Sequence, residues 1–458
     1  MKKVTVMVCF VFWMVDVHAD LPSFPICEDI SPQLAPAVDG NLAAWTDDRG
    51  GTNNADIYAR TLPGGEERAI CTASNNQQNP AVSGSLIVWQ DNRNGNSDIY
   101  MYDLSAQTET TICTDTNVQQ NPDISGPIIV WQDNRNGNND IYGYNLDTMT
   151  EFVICNNTAD QQCPAISGDY VVWMDDRNGS YNIYVRDLKQ PMGSEYAVNP
   201  FAADQSSPDI SGNIIVWQDS RNSATTNTDI YGYDIGGSGE FPVCVHEEKQ
   251  NQPVVAGDWI IWRDQRNKTT TGYDIYGYDI KTGTIESICT LAGIQDTPAV
   301  SQQYVVWQDT TLTNIYGAAF PVVAAVTVLS PNGGETWIAG SQHTILWQSS
   351  GAISTVKIEI FADNGVNWQL IADGVANVGT YDAVIPVNIH SQQCLLRISD
   401  TANPATSDQC DAVFTVFQCS LTADITGDCF VGLDDFAAFA AQWLTCGNPF
   451  DPAWCANN

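Results

Sequence analysis

The stretch "IVWQDNRNGNSDIY" at residues 87–100 returns as "IVWQDNRNGNNDIY" at residues 129–142, with one letter changed, and looser copies occur five more times. A tryptophan marks each copy, and successive tryptophans lie 42 to 45 residues apart: Trp45, Trp89, Trp131, Trp173, Trp217, Trp262 and Trp307. A fixed period in the low forties with short β-type runs is typical of propeller blades. The unit shows no helical periodicity, so we predict an all-β ring.

Each unit divides into four predicted strands. In the second unit they are "PAVSG" (80–84), "LIVWQD" (86–91), "DIYMYDL" (98–104) and "TETTICT" (108–114), and the turn "NRNGNS" supplies residues that tolerate positive φ. One four-stranded sheet cannot bury both of its faces alone, whereas seven sheets in a ring can. The pattern therefore predicts a seven-bladed β-propeller.

The two ends of the repeat region predict how the ring closes. The seventh unit stops after its third strand, at "NIYGAAF" (314–320), while "SFPICED" (23–29) precedes the first unit and is similar to a fourth strand. We expect residues 23–29 to complete the seventh blade, because an open sheet edge would otherwise stay unpaired.

The segment "PAVSG…IVWQDNRNGNSDIYMYDL" resembles the TolB-type propeller repeat, and the resemblance extends over residues 23–320. It implies a propeller domain at residues 20–320. It leaves the activity open, because propellers of this kind include binding modules, peptidase lids and some lyases.

Polar residues repeat with the blades. We expect the Asp and Arg of the second-strand turn, such as Asp91 and Arg93, to cap the turn and form local ion pairs. The alternative is a ring of calcium sites, which Thr311 in the seventh unit would leave incomplete. The amide-rich loops that end in "QQN" suit either sugar binding or plain solvation.

Catalytic candidates in the propeller are few. Its single histidine, His246, argues against a Ser/His triad or a histidine-based metal cluster. Glycosidase chemistry needs only two carboxylates, and Asp123 and Asp209 on the predicted inner strands are weak candidates for that role. We therefore expect the propeller to lack catalytic activity.

Six cysteines share one position of the fourth strand: Cys27, Cys71, Cys113, Cys155, Cys244 and Cys289. Strands at that position in different blades lie too far apart to bridge, so we expect small buried thiols. Cys163 is additional, and we expect it to bridge to Cys155.

The N-terminal segment predicts export. Lys2 and Lys3 precede the apolar run Val4–Val15, and small residues allow cleavage after Ala19, so residues 1–19 are a predicted signal peptide. No later apolar run is long enough to span a membrane. The net charge of −36 argues against nucleic-acid binding. We predict an extracellular or cell-surface protein.

Residues 321–418 lose the repeat. Short alternating runs separated by Gly, Asn and Pro predict a β-sandwich of immunoglobulin type. "SPNGGETWIAGSQHTILW" (330–347) and "VKIEIFADNGVNWQLIA" (356–372) resemble the Ser/Thr-rich cell-wall-anchored module, which implies a spacer or adhesion role. We expect Cys394 and Cys410 to pair.

Residues 419–458 carry the most specific chemical motif, "DITGDCFVGLDDFAAFAAQWL" (424–444). Asp424, Thr426, Asp428 and Asp435 occupy positions 1, 3, 5 and 12 of a calcium loop, and Phe430 at position 7 offers its carbonyl. The other interpretation is a turn followed by a helix cap. The motif resembles one half of a type I dockerin, which implies a cohesin-like partner or a cell-surface attachment. Cys419, Cys429, Cys446 and Cys455 allow two disulfides of undetermined connectivity.

These observations predict a secreted or cell-surface, non-catalytic binding or scaffold protein that recognises an extracellular glycan or protein. Its dockerin-like tail would attach it to an assembly in a calcium-dependent way. The alternative is a polysaccharide-degrading enzyme, a hydrolase of glycosidic bonds, that the dockerin carries.

Overall fold

The computed structural model describes residues 20–27, 29–51, 53–223, 227–237, 239–321, 324–361, 367–418 and 431–443. The predicted signal peptide lies outside these ranges. The chain divides into two compact units, Met1–Phe320 and Pro321–Asn458. Described strands dominate both units, and one α-helix, Leu433–Trp443, lies within the described residues.

Unit one consists of antiparallel four-stranded blades. The first strands of the seven blades are Gln33–Asp39, Gln77–Ser83, Gln119–Ser125, Gln161–Ser167, Gln205–Ser211, Gln250–Ala256 and Gly293–Val300. The second strands are Leu42–Asp47, Leu86–Asp91, Ile128–Asp133, Tyr170–Asp175, Ile214–Asp219, Trp259–Asp264 and Tyr304–Asp309. Their residues alternate between the two faces of a blade, so each blade presents an apolar surface to each neighbour.

The third strands are Asp56–Thr61, Asp98–Asp103, Asp140–Asn145, Asn182–Asp187, Asp229–Asp234, Gly272–Asp279 and Asn314–Ala319. The fourth, outer strands are Glu67–Cys71, Thr108–Cys113, Thr150–Cys155, Tyr196–Ala197, Gly239–Cys244, Thr284–Cys289 and, for the seventh blade, Ser23–Pro25. A short 3₁₀ helix, Asp48–Gly50, lies in the turn of the first blade.

The N-terminal strand pairs antiparallel with the last strand of the repeat region. Ser23 lies opposite Ala318, Phe24 opposite Gly317 and Pro25 opposite Tyr316. The backbone N–H of Ile26 also donates to the carbonyl of Ile315. The seventh blade thus takes its outer strand from the other end of the repeat region. This pairing joins the two ends of the ring, as the sequence predicts.

The core of unit one is divided among the contacts between blades. Seven apolar clusters each draw residues from two neighbouring blades, and the repeated tryptophans are 0 to 1% exposed within them. Trp131 of blade three, for example, packs with Val88 and Ile112 of blade two. The repeated tryptophans thus pack between blades, and full burial of such large side chains contributes a large part of the apolar stabilisation of the ring.

Unit two contains two sheets around one core. The strands are Ala325–Ser330, Thr336–Ile338, Gln342–Ser350, Thr355–Phe361, Trp368–Ala376, Thr380–Val384, Ser391–Asp400, Ser407–Gln409 and Phe414–Phe417. The first, third and sixth form one sheet and the other six form the second. Ile345 and Trp347 from the first sheet meet Ile360 and Leu396 from the second in a shared cluster.

Candidate functional site

The first strands line the mouth of a central channel in unit one. A cavity of about 360 Å³ there is bordered by the proline of strand one from six blades, among them Pro80 and Pro122. Each first strand has a bulge at this point, where the residue before the proline has a positive φ of 43 to 53°: Ala35, Asn79, Asn121, Cys163, Ser207, Gln252 and Thr297. Five of these residues line the cavity: Ala35, Asn79, Asn121, Cys163 and Thr297.

Asp123 and Asp209, the two catalytic candidates, both lie at this mouth. Asp123 Oδ2 accepts from the backbone N–H of Ile166 at 2.7 Å, and Asp209 Oδ2 accepts from that of Val255 at 2.7 Å. The acceptors lie in blades three and five, and the donors lie in blades four and six. Each carboxylate therefore ties one first strand to the next.

The electrostatics of the two carboxyls are unusual. Burial among protein atoms raises the pKa of Asp123 to about 6, against the lowering effect of the backbone N–H groups of Ile166 and Ile124. Burial likewise raises the pKa of Asp209 to about 7, and the negative charge of Asp123 raises it further. Both groups are half-buried and open to the channel, and they titrate near neutral pH.

A ring of bonds that the sequence reasoning missed lies beside them. The serine that ends strand one accepts from a glycine N–H of the next blade, as in Ser83 Oγ with Gly126 at 3.0 Å and Ser125 Oγ with Gly168 at 2.9 Å. Asp39 holds Gly84 in the same way, and Ser301 Oγ donates to the carbonyl of Gly40. The recurring "SG" pair was the available signal.

The repeated aspartate at the end of strand two is enclosed by donors. Asp91 accepts from the indole N–H of Trp89 at 2.9 Å, from the backbone N–H of Arg93 at 2.9 Å and from Arg93 Nη2 at 2.6 Å. Both carboxylate oxygens are therefore engaged. These contacts agree with turn capping and a local ion pair.

The arginine of the same turn reaches across the blade boundary. Arg93 stacks on Tyr100 at 4.2 Å and binds Glu109 of its own outer strand, while its Nη2 lies 3.0 Å from Cys71 Sγ in the preceding blade. The same thiol contact recurs for the pairs Arg49–Cys27, Arg135–Cys113, Arg177–Cys155 and Arg266–Cys244. The arginine is thus a link between blades as well as a turn residue.

The amide-rich loops that end in "QQN" are partly buried. A glutamine with no exposed surface stands at one repeated position of strand one, the first residue in six blades and the third in the seventh: Gln33, Gln77, Gln119, Gln161, Gln205, Gln250 and Gln295. Its amide holds the loop before it, as Gln119 Nε2 does by donating to the carbonyl of Asn117 at 2.8 Å. One glutamine of each "QQ" pair is therefore unavailable to a ligand.

Two of the expected cysteine bridges are absent from the described residues, whereas the predicted disulfides among Cys419, Cys429, Cys446 and Cys455 lie outside them. Cys155 contacts Arg177, whereas Cys163 lies at the channel mouth with Asn121, so the bridge between Cys155 and Cys163 was a wrong prediction. Cys394 and Cys410 are also separate thiols. In both cases a local polar contact holds the sulfur: Cys394 Sγ donates to the Ser391 carbonyl, and Cys410 Sγ accepts from Leu396 N–H.

The calcium loop falls mostly outside the described residues, which include neither Asp424 nor Thr426, Asp428 or Phe430. Asp435 is described: its Oδ2 accepts from the backbone N–H of Gly432 at 2.7 Å, at the start of the helix. Elsewhere, the described residues include no group of three or more His, Cys, Asp and Glu that could hold a metal ion.

No helix in the described part of the chain is long and apolar enough to cross a membrane.

Comparison with known proteins establishes the fold class. No protein family model and no curated protein matches the chain. Among solved structures, the β-propeller domain of the trilobed protease from Pyrococcus furiosus is similar over 63% of this chain and 96% of that one, with 15% identity and a TM-score of 0.50. Oligogalacturonate lyase from Vibrio parahaemolyticus is similar over 66% and 98%, with 12% identity and a TM-score of 0.51.

TolB from Acinetobacter baumannii is a more distant likeness, with 15% identity, coverage of 61% and 65%, and a TM-score of 0.39. At such identities the first two similarities establish a β-propeller and nothing about activity. The Pyrococcus furiosus domain has an open velcro topology. In this chain, by contrast, Ser23–Pro25 pairs with the seventh blade.

Proposed function

We propose that the protein is an exported, non-catalytic binding or scaffold protein whose propeller recognises an extracellular glycan or protein. The observation that carries the proposal is the structural role of Asp123 and Asp209 in hydrogen bonds between blades. Each carboxylate accepts from a backbone N–H of the next blade, which gives both residues a structural reason to be where they are. The mouth around them also offers amides, such as that of Asn79, which suit a hydroxyl-rich ligand.

A binding screen combined with product analysis tests this proposal. The full chain is applied to an array of extracellular polysaccharides, and the same polymers are incubated with it and then examined for chain length. We expect retention of at least one polymer without shortening. The Asp123→Asn/Asp209→Asn variant should retain that polymer equally, because asparagine keeps a carbonyl oxygen for the Ile166 and Val255 N–H groups.

One observation favours the alternative, a polysaccharide-degrading enzyme. Carboxyls with pKa values of about 6 and about 7 at one cavity include an acid that is still protonated near neutral pH, as general acid catalysis requires. Shortening of a polymer by the wild type, with loss of that activity in the double variant, would establish the enzyme and refute the binding role.

For the remainder of the chain we propose an immunoglobulin-like spacer at residues 321–418 and a calcium-binding, dockerin-like tail at residues 419–458. The two sheets around one core support the spacer. The helix Leu433–Trp443 directly after the loop supports the tail, and its Phe436 is 67% exposed. An exposed aromatic residue on a short helix suits a protein partner such as a cohesin-like module. Export would follow cleavage after Ala19.

A further inference from the structure

The larger sheet of unit two has a groove on the face that points away from its core. The groove has a volume of about 410 Å³ and is lined by Phe361, Trp368, Gln393, Leu395, Arg397, Gln409 and Val413. It is wide and shallow. Nothing in the proposed function so far assigns a role to it.

The strand register explains how these side chains meet. Phe361 lies opposite both Trp368 and Leu395, which makes an apolar row across three strands. Two residues away, Arg397 lies opposite Glu359 on one side and Gln409 on the other, which makes a polar row. The intervening Ile360 points into the core, as the two-residue alternation of a strand requires.

The positive charge of unit two lies in and next to the polar row. Lys357 and Arg397 are the only Lys and Arg in residues 321–458, a segment rich in Asp. Both bind Glu359, at 2.6 Å each, and their side chains are 36% and 34% exposed. Two cations on one carboxylate leave a positive excess at this face of a strongly acidic chain.

Arg397 is held in place by its neighbours. Its Nε and Nη2 donate to Glu359 Oε2, and its guanidinium stacks over Trp368 at 4.2 Å. Its Nη1 donates to no residue that the structure describes. A flat guanidinium fixed on an aromatic ring, with donors still available, is well suited to an incoming carboxylate.

We propose that this groove binds an acidic polysaccharide, with a uronate carboxylate on Arg397 and the sugar hydroxyls on the amides of Gln393 and Gln409. The inference rests on the proposed role in glycan binding and assigns one glycan-binding site to unit two instead of the propeller. An acidic peptide is the competing occupant, and competition by polyglutamate separates it from the glycan.

The test measures retention of the full chain on immobilised polygalacturonate and on its methyl ester, which has the same backbone without the charge. We expect retention on the acid form alone, with a steep loss as salt is raised. Arg397→Gln should weaken it by about tenfold or more, because hydrogen bonds to charged groups are the strong ones. Gln393→Ala/Gln409→Ala, which changes exposed side chains only, should weaken it by a smaller factor.

Arg68→Gln is the matched control, because it removes one exposed arginine from the propeller and should change nothing. Melting curves establish that each variant is folded. If the wild type binds polygalacturonate and both groove variants bind equally well, the site is elsewhere and this inference is overturned while glycan binding stands. If the chain retains neither form, this inference is overturned, and the array of extracellular polysaccharides decides the proposed function separately. If polyglutamate competes as well as free polygalacturonate does, the groove binds acidic peptides and the proposal of a glycan ligand is overturned.

Discussion

The guanidinium of Arg93 in the second blade lies 3.0 Å from the thiol of Cys71 in the first. The same arginine neutralises Asp91, which has no exposed surface. One side chain therefore satisfies a buried charge within its blade and contacts the blade before it, and five blades repeat this arrangement.

Arg93→Ala should destabilise the propeller strongly. Removing the partner of a buried carboxylate costs about 3 kcal/mol or more, and asparagine at position 91 would restore part of the loss. We expect the melting temperature of the propeller to fall by about 5 °C or more, as followed by circular dichroism. Arg68→Ala, which removes an exposed arginine bonded to Tyr102, should cost about 0.5 kcal/mol or less. Equal melting of the two variants would contradict the structural role of Arg93.

The thiols of the outer strands should be inert while the protein is folded. Burial raises the pKa of Cys71 and of Cys113 to about 12, so almost no thiolate forms at pH 8. We expect iodoacetamide to label Cys163, which is half-buried at the channel mouth, before any of these cysteines. Peptide mapping by mass spectrometry gives the order. Unfolding in guanidinium chloride should make all of them react, and early labelling of Cys71 would refute the buried contact.

The channel carboxyls should make stability depend on pH. The pKa values of Asp123 and Asp209 are raised to about 6 and about 7 from 3.8. The folded chain therefore binds these protons more tightly than the unfolded chain does, so their stabilising contribution is complete below about pH 4. That contribution is lost as the pH rises through 6 and 7.

Asp123→Asn/Asp209→Asn should therefore match the wild type near pH 4 and exceed its stability by several kcal/mol at pH 8, because upward pKa shifts of about two and about three units correspond to at most about 3 and about 4 kcal/mol. Thermal melts of both proteins across this range measure the difference, which cancels the titration of all other groups. A difference that stays constant with pH would show that the two carboxyls keep ordinary pKa values.

The N-terminal strand should be needed for the ring. Deleting residues 21–31 removes Ser23–Pro25 and the fully buried Ile26, which leaves the edge of the seventh blade unpaired. We expect a sharp fall in melting temperature, and a synthetic peptide of residues 20–31 added in trans should restore part of it. An unchanged melt would mean that the pairing contributes nothing to stability.

The tail should bind calcium through its loop. Titration of the full chain with Ca²⁺ by calorimetry should give one site, which Asp424→Asn/Asp428→Asn abolishes because two charged ligands are lost. Asp434→Asn is the control, since Asp434 stands outside the ligand positions. If the double variant released the same heat as the wild type, the loop would be ruled out as the calcium site. The hydrogen bond between Asp435 and Gly432 at the start of the helix would then be the role of the motif.

The repeat determined how much of the fold could be predicted. The tryptophan period and the strand-turn-strand pattern predicted blades, because they reflect local geometry and burial. The contact between Cys71 and Arg93 was missed because it joins two units, although the five pairs share a constant separation of 22 residues. The left-handed residues before the prolines were also missed, because only Asn79 and Asn121 are of a type that favours positive φ.

The candidate site was predicted less well. Asp123 and Asp209 were placed correctly at the channel, but their donors Ile166 and Val255 are apolar residues whose backbone N–H groups leave no mark in the sequence. The groove beside Arg397 was missed because its residues come from four strands. The scarcity of Lys and Arg after residue 320 was the available signal.

In most ties between blades the later blade donates: Gly126 N–H donates to Ser83 Oγ, and Arg93 donates to Cys71 Sγ. A unit with the full set of serine, glycine, arginine and cysteine therefore carries a donor for the blade before it and an acceptor for the blade after it. A duplicated unit therefore brings both the donor and the acceptor of these bonds. Inserted between the two units it resembles, it leaves no polar group without a hydrogen-bond partner. Rings of this type can gain or lose a member by copying a single stretch of gene, and the near-identity of residues 87–100 and 129–142 is the trace that such copying leaves.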